Sequence, residues 1–206
     1  RPGLVALIFT YVLLTGIRDF SDNFSAEIWG SLGFGNVPGV FSTTALWTSF
    51  LVLIPLAMVM LVKDNLAALL TNHVLILSGI AAIGVSTLLY ELGQVGSETW
   101  MILHSTGIYL AYIPFNCLLF DRMLAAVNDK ANAGFLIYLA DSMGYAGSVG
   151  ILLYKQFVDV ELSWMHFMIQ SSWLISIVGM LLISYSGWYF HQRLAGRSRQ
   201  QEVSIA

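Results

Sequence analysis

The sequence predicts an all-α fold, a polytopic bundle of six transmembrane helices, and three observations carry that reading. Hydrophobic residues make up 57% of the chain and charged residues 10%, against about 25% charged in a soluble domain. The apolar residues gather into six runs, each about long enough to cross a bilayer. The connections, near 30–42, 63–70, 93–98, 121–132 and 155–163, leave no room for a soluble domain. Backbone groups in lipid must bond to one another, so runs of this length form helices. A charge inside one of them is then a functional suspect. The runs give a bundle over 1–190 and a polar tail over 191–206.

The first run, Pro2–Trp29, holds Arg18, Asp19, Asp22, Asn23 and Glu27. At about 100° per residue, Arg18, Asp22, Ser25 and Trp29 form one stripe, and Asp19, Asn23 and Glu27 form the next. Phe20, Phe24 and Ile28 lie opposite. A charge in hydrocarbon costs about 2.5–3.5 kcal/mol on insertion scales, and Arg18 with Asp22 can offset part of it as an i,i+4 pair. The arc reads as the wall of a water-filled cavity with Arg18 open to an anionic group. The plainer alternative is a structural salt bridge near the helix end.

The second run, Thr43–Val62, contains Pro55, read as a kink. It stops at Lys63-Asp64, read as an anchor and helix terminator. The third run is Thr71–Leu92. The fourth, Thr99–Phe120, puts Ser105, Tyr109, Tyr112 and Asn116 on one stripe at i, i+4, i+7, i+11. That stripe either lines a substrate cavity or ties helices together. Pro114 predicts a kink, and Cys117 reads as inert packing. Asp121 and Arg122 close this run and are candidates for a gate latch.

The fifth run, Ala133–Tyr154, carries Asp141 about a third of the way along, with Tyr138, Tyr145 and Ser148 on its face. A lone carboxylate in a span can exchange a proton, the chemistry of a relay, pair with Arg18 across the bundle, or hydrogen-bond between helices purely for packing. Gly144, Gly147, Ser148 and Gly150 predict close helix packing. The sixth run is Trp164–Tyr189. Lys155, Asp159 and Glu161, between the last two, read as a solvated loop.

Six spans put both ends on one side. That side holds Arg1, Lys63, Arg122, Lys130, Arg193, Arg197 and Arg199, seven cations against Lys155 alone on the other. The positive-inside rule then makes both termini of this segment cytoplasmic. Trp29, Trp47, Tyr90, Trp100, Tyr154 and Trp164 fall near the outer ends and predict an interfacial belt. The chain starts at Arg1 without a Met, which reads as an excised piece.

Catalytic and metal chemistry find little support. The histidines 73, 104, 166 and 191 share no ligand spacing, and the single cysteine excludes an intrachain disulfide. No nucleophile–base pair stands out. The chain is expected to be no enzyme, with no metal, no cofactor and no nucleic-acid partner.

The run Tyr112-Ile-Pro-Phe-Asn116, then Phe120-Asp-Arg122, then Phe135–Asp141 and Gly144-Tyr-Ala-Gly-Ser148 resembles a little-characterised bacterial family akin to the major facilitator superfamily (MFS) of transporters. So does Arg18-Asp-Phe-x-Asp-Asn23. Six helices with both ends inside are similar to one half of such a transporter, whose two halves hold solute between them near the midplane. The resemblance implies a C-terminal half whose N-terminal half is absent here, in a bacterial plasma (inner) membrane. The first, fourth and fifth helices would then stand where the seventh, tenth and eleventh of a full transporter stand. The loop Lys63–Leu70 lacks the Gly/Asp/Arg-rich signature common at that place, a departure from the better-known subgroups.

The expectation is a secondary transporter half moving a small solute by alternating access, an anionic one if Arg18 receives it. Arg18, Asn23, Tyr109, Tyr112 and Asn116 would contact solute. Asp141 or Asp22 would carry a coupling proton, and Asp19 and Tyr145 complete the pathway. The rival is a non-transporting receptor or assembly subunit on the same scaffold.

Overall fold

The computed structural model describes residues 2–127, 132–157 and 163–205, and among them no strand occurs. Arg1, Lys130, Asp159 and Glu161 lie outside the described residues. The helices are α1 (Pro2–Asn23), α2 (Ser25–Ser31), α3 (Gly39–Met60), α4 (Asn65–Glu91), α5 (Ser97–Pro114), α6 (Phe120–Val127), α7 (Ala133–Phe157) and α8 (Trp164–Ile205). A wide π turn, Phe115–Leu119, joins α5 to α6.

Among the described residues, five segments are long and apolar enough to cross a membrane: Pro2–Asn23, Gly39–Met60, Asn65–Glu91, Ser97–Val127 and Trp164–Leu194. The expected sixth, α7, has the length of a span at 25 residues and carries one carboxylate, Asp141, within it. It packs against α1.

The first run is split. Phe24 leaves helical geometry at φ −114°, ψ 23°, although its N–H still reaches the Phe20 carbonyl at 3.1 Å and its own carbonyl accepts from Ile28 at 2.9 Å. Its ring stacks on Trp164 at 4.1 Å between centroids. Helix ends follow ordinary chemistry. Asp64 caps α4 by accepting from the Ala67 N–H at 2.7 Å. Gly93, at φ 69°, closes α4 in the left-handed region open to glycine.

Lipid tails are as apolar as leucine, so close packing and interhelical hydrogen bonds hold such helices together. α4 and α5 cross at Gly79 and Gly107. A Cβ on Gly79 would stand 2.7 Å from the Gly107 carbonyl oxygen and the Ala111 nitrogen. α1 and α7 cross likewise, where a Cβ on Gly144 would meet Thr15 Oγ1 at 2.8 Å and one on Gly147 would meet Val12 at 2.8 Å. Gly144 and Gly147 thus serve close packing, as expected, whereas a Cβ on Gly150 would meet open space. The main core joins Leu7, Leu14 and Ile17 of α1 to Ile76, Ile80 and Ile83 of α4 and Phe115 of the π turn. A second cluster gathers Phe20, Ile28, Trp29, Trp100 and Met168. Trp29 and Trp100 are therefore buried rather than part of an exposed belt, while Trp47 on α3 is exposed. Trp100 donates to Thr87 Oγ1 at 3.3 Å and stacks on Tyr90, so its polar edge is satisfied inside.

Two histidines are also structural ties. His73 on α4 bonds the Leu69 carbonyl at 2.8 Å and Ser186 of α8 at 3.1 Å. Ser172 of α8 donates to the Met168 carbonyl, so His104 Nε2 donates to Ser172 at 2.7 Å.

Candidate functional site

The polar residues of α1, α5 and α7 meet around Tyr11, a buried residue in the middle of α1. Its hydroxyl oxygen is 2.9 Å from the Tyr112 hydroxyl and 3.1 Å from Asn116 Oδ1, and it also bonds Asp141 Oδ1. A phenol has one hydrogen and two lone pairs. Tyr11 therefore donates to Asp141 or Asn116, one at a time, and Tyr112 acts as donor to Tyr11. The Tyr11 and Tyr112 rings stack at 5.2 Å between centroids.

Asn116 reaches this cluster through the π turn. Pro114 cannot donate the N–H that an α-helix needs there, and the backbone widens directly after it. Such turns often accompany functional sites. The expected kink is thus a widening of the helix.

Arg18 sits one step further along α1, its guanidinium carbon 4.2 Å from the Tyr112 ring centroid. That is cation–π geometry. The expected i,i+4 pair with Asp22 does not form. Arg18 Nε donates to Asp19 Oδ1 at 3.0 Å and Nη2 bonds the same oxygen. The reason lies on α5: the Tyr109 hydroxyl occupies Asp22, 2.9 and 3.0 Å from its two carboxylate oxygens. Arg18 and Asp19 are each 15% exposed, so the cation is neutralised and largely enclosed. Tyr145 of α7 comes within interaction range of the same guanidinium. The alternative pairing of Asp141 with Arg18 gives way to the bond from Tyr11.

Not every expected residue joins. Asn23 is exposed on α1 beyond the cluster, and Asp121 is exposed on α6. Arg122 turns away from Asp121, donating to Asn65 Oδ1 at 2.9 Å and the Lys63 carbonyl at 3.4 Å. It ties α6 to the start of α4. Cys117, on the π turn, is exposed rather than packed.

Three participants escaped the sequence reading. Tyr11 lies seven residues before Arg18, two turns along one face, which was the available signal. Thr44 and Thr48 of α3, an i,i+4 pair in an apolar helix, are buried beside Asp22 and Tyr109.

A protein-family model described as a family of unknown function (DUF5690) matches residues 1–193. No curated protein and no solved structure matches the chain.

Proposed function

We propose, for a chain that belongs to the family of unknown function DUF5690, a six-span unit of a secondary transporter, similar to the C-terminal half of an MFS protein. It moves a small anionic solute by alternating access and couples that movement to a proton on Asp141. The observation that carries the reading is the shared hydroxyl of Tyr11, which links Asp141 of α7 to Tyr112 of α5 and Asn116 of the π turn. A half-buried carboxylate wired to two helices by exchangeable protons is a means of moving those helices with charge. Arg18 over Tyr112 sets a cation beside the wire, where an anionic solute would compete with Asp19. The exposed polar groups Asp22, Asn23 and Tyr145 support an aqueous cleft closed by a second helical half.

The test uses full-length protein in liposomes loaded with a pH-sensitive dye and challenged with a panel of small carboxylic acids. Solute-dependent proton entry is expected, abolished in Asp141→Asn while solute exchange survives. The reading fails if no acid elicits proton entry, or if Asp141→Asn retains it. The non-transporting subunit draws on one observation, the neutralisation of Arg18 by Asp19. On that reading Arg18→Gln and Asp141→Asn change abundance or partner capture and no flux appears.

A further inference from the structure

Apart from the Tyr11 cluster, a cavity of 150 Å³ opens between α1–α2, α3 and α5. Asp22, Tyr109, Thr44, Thr48 and Ser105 line it, and apart from the Trp29 indole every polar side chain on its wall ends in oxygen. Thr44 and Thr48 are 8% and 6% exposed, and their hydroxyl oxygens are buried without a partner. This is unusual for the chain. Thr10, Thr15, Thr71, Thr87 and Thr106 each return the hydroxyl to the carbonyl four residues back, at 2.7–2.9 Å. Ser49, next to Thr48, does the same at 2.8 Å. Thr44 and Thr48 forgo that bond on the wall of the cavity, and buried hydroxyls left so are costly unless something binds them.

We propose that this cavity is a binding site for a monovalent cation, either a sodium-class ion or the ammonium head of a solute. Oxygen ligands suit hard cations. Asp22 brings one negative charge, and Tyr109 holds both its oxygens in place. Arg18, the neighbouring cation on α1, is committed to Asp19. Among the described residues no three of His, Cys, Asp and Glu come together, so the several carboxylates a divalent ion calls for are lacking at this place. A water occupies about 30 Å³ of liquid, so the space suits an ion with part of its hydration or a small ammonium group. The site does not rest on the transport reading, because binding is read at equilibrium without flux.

The test is thermal unfolding of the full-length protein in lipid nanodiscs, at constant ionic strength. Bulky N-methylglucamine chloride is replaced stepwise by sodium chloride or methylammonium chloride. A saturable rise in Tm is expected with at least one of them. A response to sodium alone identifies the bare ion, and a response to methylammonium identifies the ammonium head. Thr44→Val with Thr48→Val should weaken the apparent affinity on the order of tenfold or more, as should Asp22→Asn. Thr44→Ser with Thr48→Ser, which keeps both hydroxyls, should retain the response and guards against a merely structural effect. No saturable rise with either cation would overturn the site, as would unchanged affinity in the valine pair or in Asp22→Asn.

Discussion

Tyr11 has one proton to give and several oxygens beside it, and that arithmetic fixes what each partner can do. With Asp141 ionised, Tyr11 donates to the carboxylate. With Asp141 protonated, the carboxyl donates to Tyr11, and the phenol hydrogen turns to Asn116 Oδ1, 3.1 Å away. Asn116 thereby lets Asp141 change charge without leaving a buried group unpaired. Tyr11→Phe removes the hub and strands Asp141 and Tyr112 together. We expect it to cost about 1–3 kcal/mol, read as a lower Tm in nanodiscs, while Asp141→Asn, which keeps an acceptor, costs less. Equal stability of Tyr11→Phe and wild type would count against the network. The polar members Arg18, Tyr112, Asn116 and Asp141 were legible because each interrupts an apolar run. Their pairing was not. The i,i+4 rule describes an isolated helix, and here Tyr109 from another helix takes Asp22 and leaves Arg18 to Asp19. Tyr11 and the two threonines were hidden because such residues are common in spans and gain meaning only from neighbours.

The helices lean on backbone proximity, and the glycines mark where. Gly79 and Gly107 let α4 and α5 touch main chain to main chain. Gly79→Val must push those helices apart, and we expect a loss of several °C in Tm or failure to accumulate. Gly150→Ala is the matched control, since nothing lies within 4 Å of its Cβ position. Replacing a mid-helix glycine there should be neutral or stabilise by up to about 1 kcal/mol. A Gly79→Val protein that melts with wild type would show that the crossing is looser than drawn. Helix existence was readable from run length. The break at Phe24 was not, because its hydrogen bonds nearly continue the ladder, and only the stacking on Trp164 distinguishes it.

For the chain as a whole, the all-α membrane-type class was legible, because 57% hydrophobic residues cannot stay in water. The sixth expected span, α7, combines span length with a carboxylate. That makes α7 a segment that needs company. An aspartate at a span centre costs about 2.5–3.5 kcal/mol on insertion scales. Segment 133–157, placed alone in a glycosylation-mapping insertion reporter, should insert poorly, and Asp141→Leu should rescue it. Efficient insertion of the unaltered segment would show that α7 enters the bilayer without its neighbours. Inside the bundle, Tyr11 receives that carboxylate and α1 covers the helix face. The π turn adds a last consequence. One surplus residue in a helix shifts the phase of all that follows by about 100°. Here the shift lies between Tyr112, on the near side, and Arg122, on the far side. The two ends of this rod are thus geared to different neighbours, Tyr11 at one and Asn65 at the other. Were the turn to relax into regular α-helix, both contacts could not be kept, so the surplus residue holds Tyr112 and Arg122 to their separate neighbours.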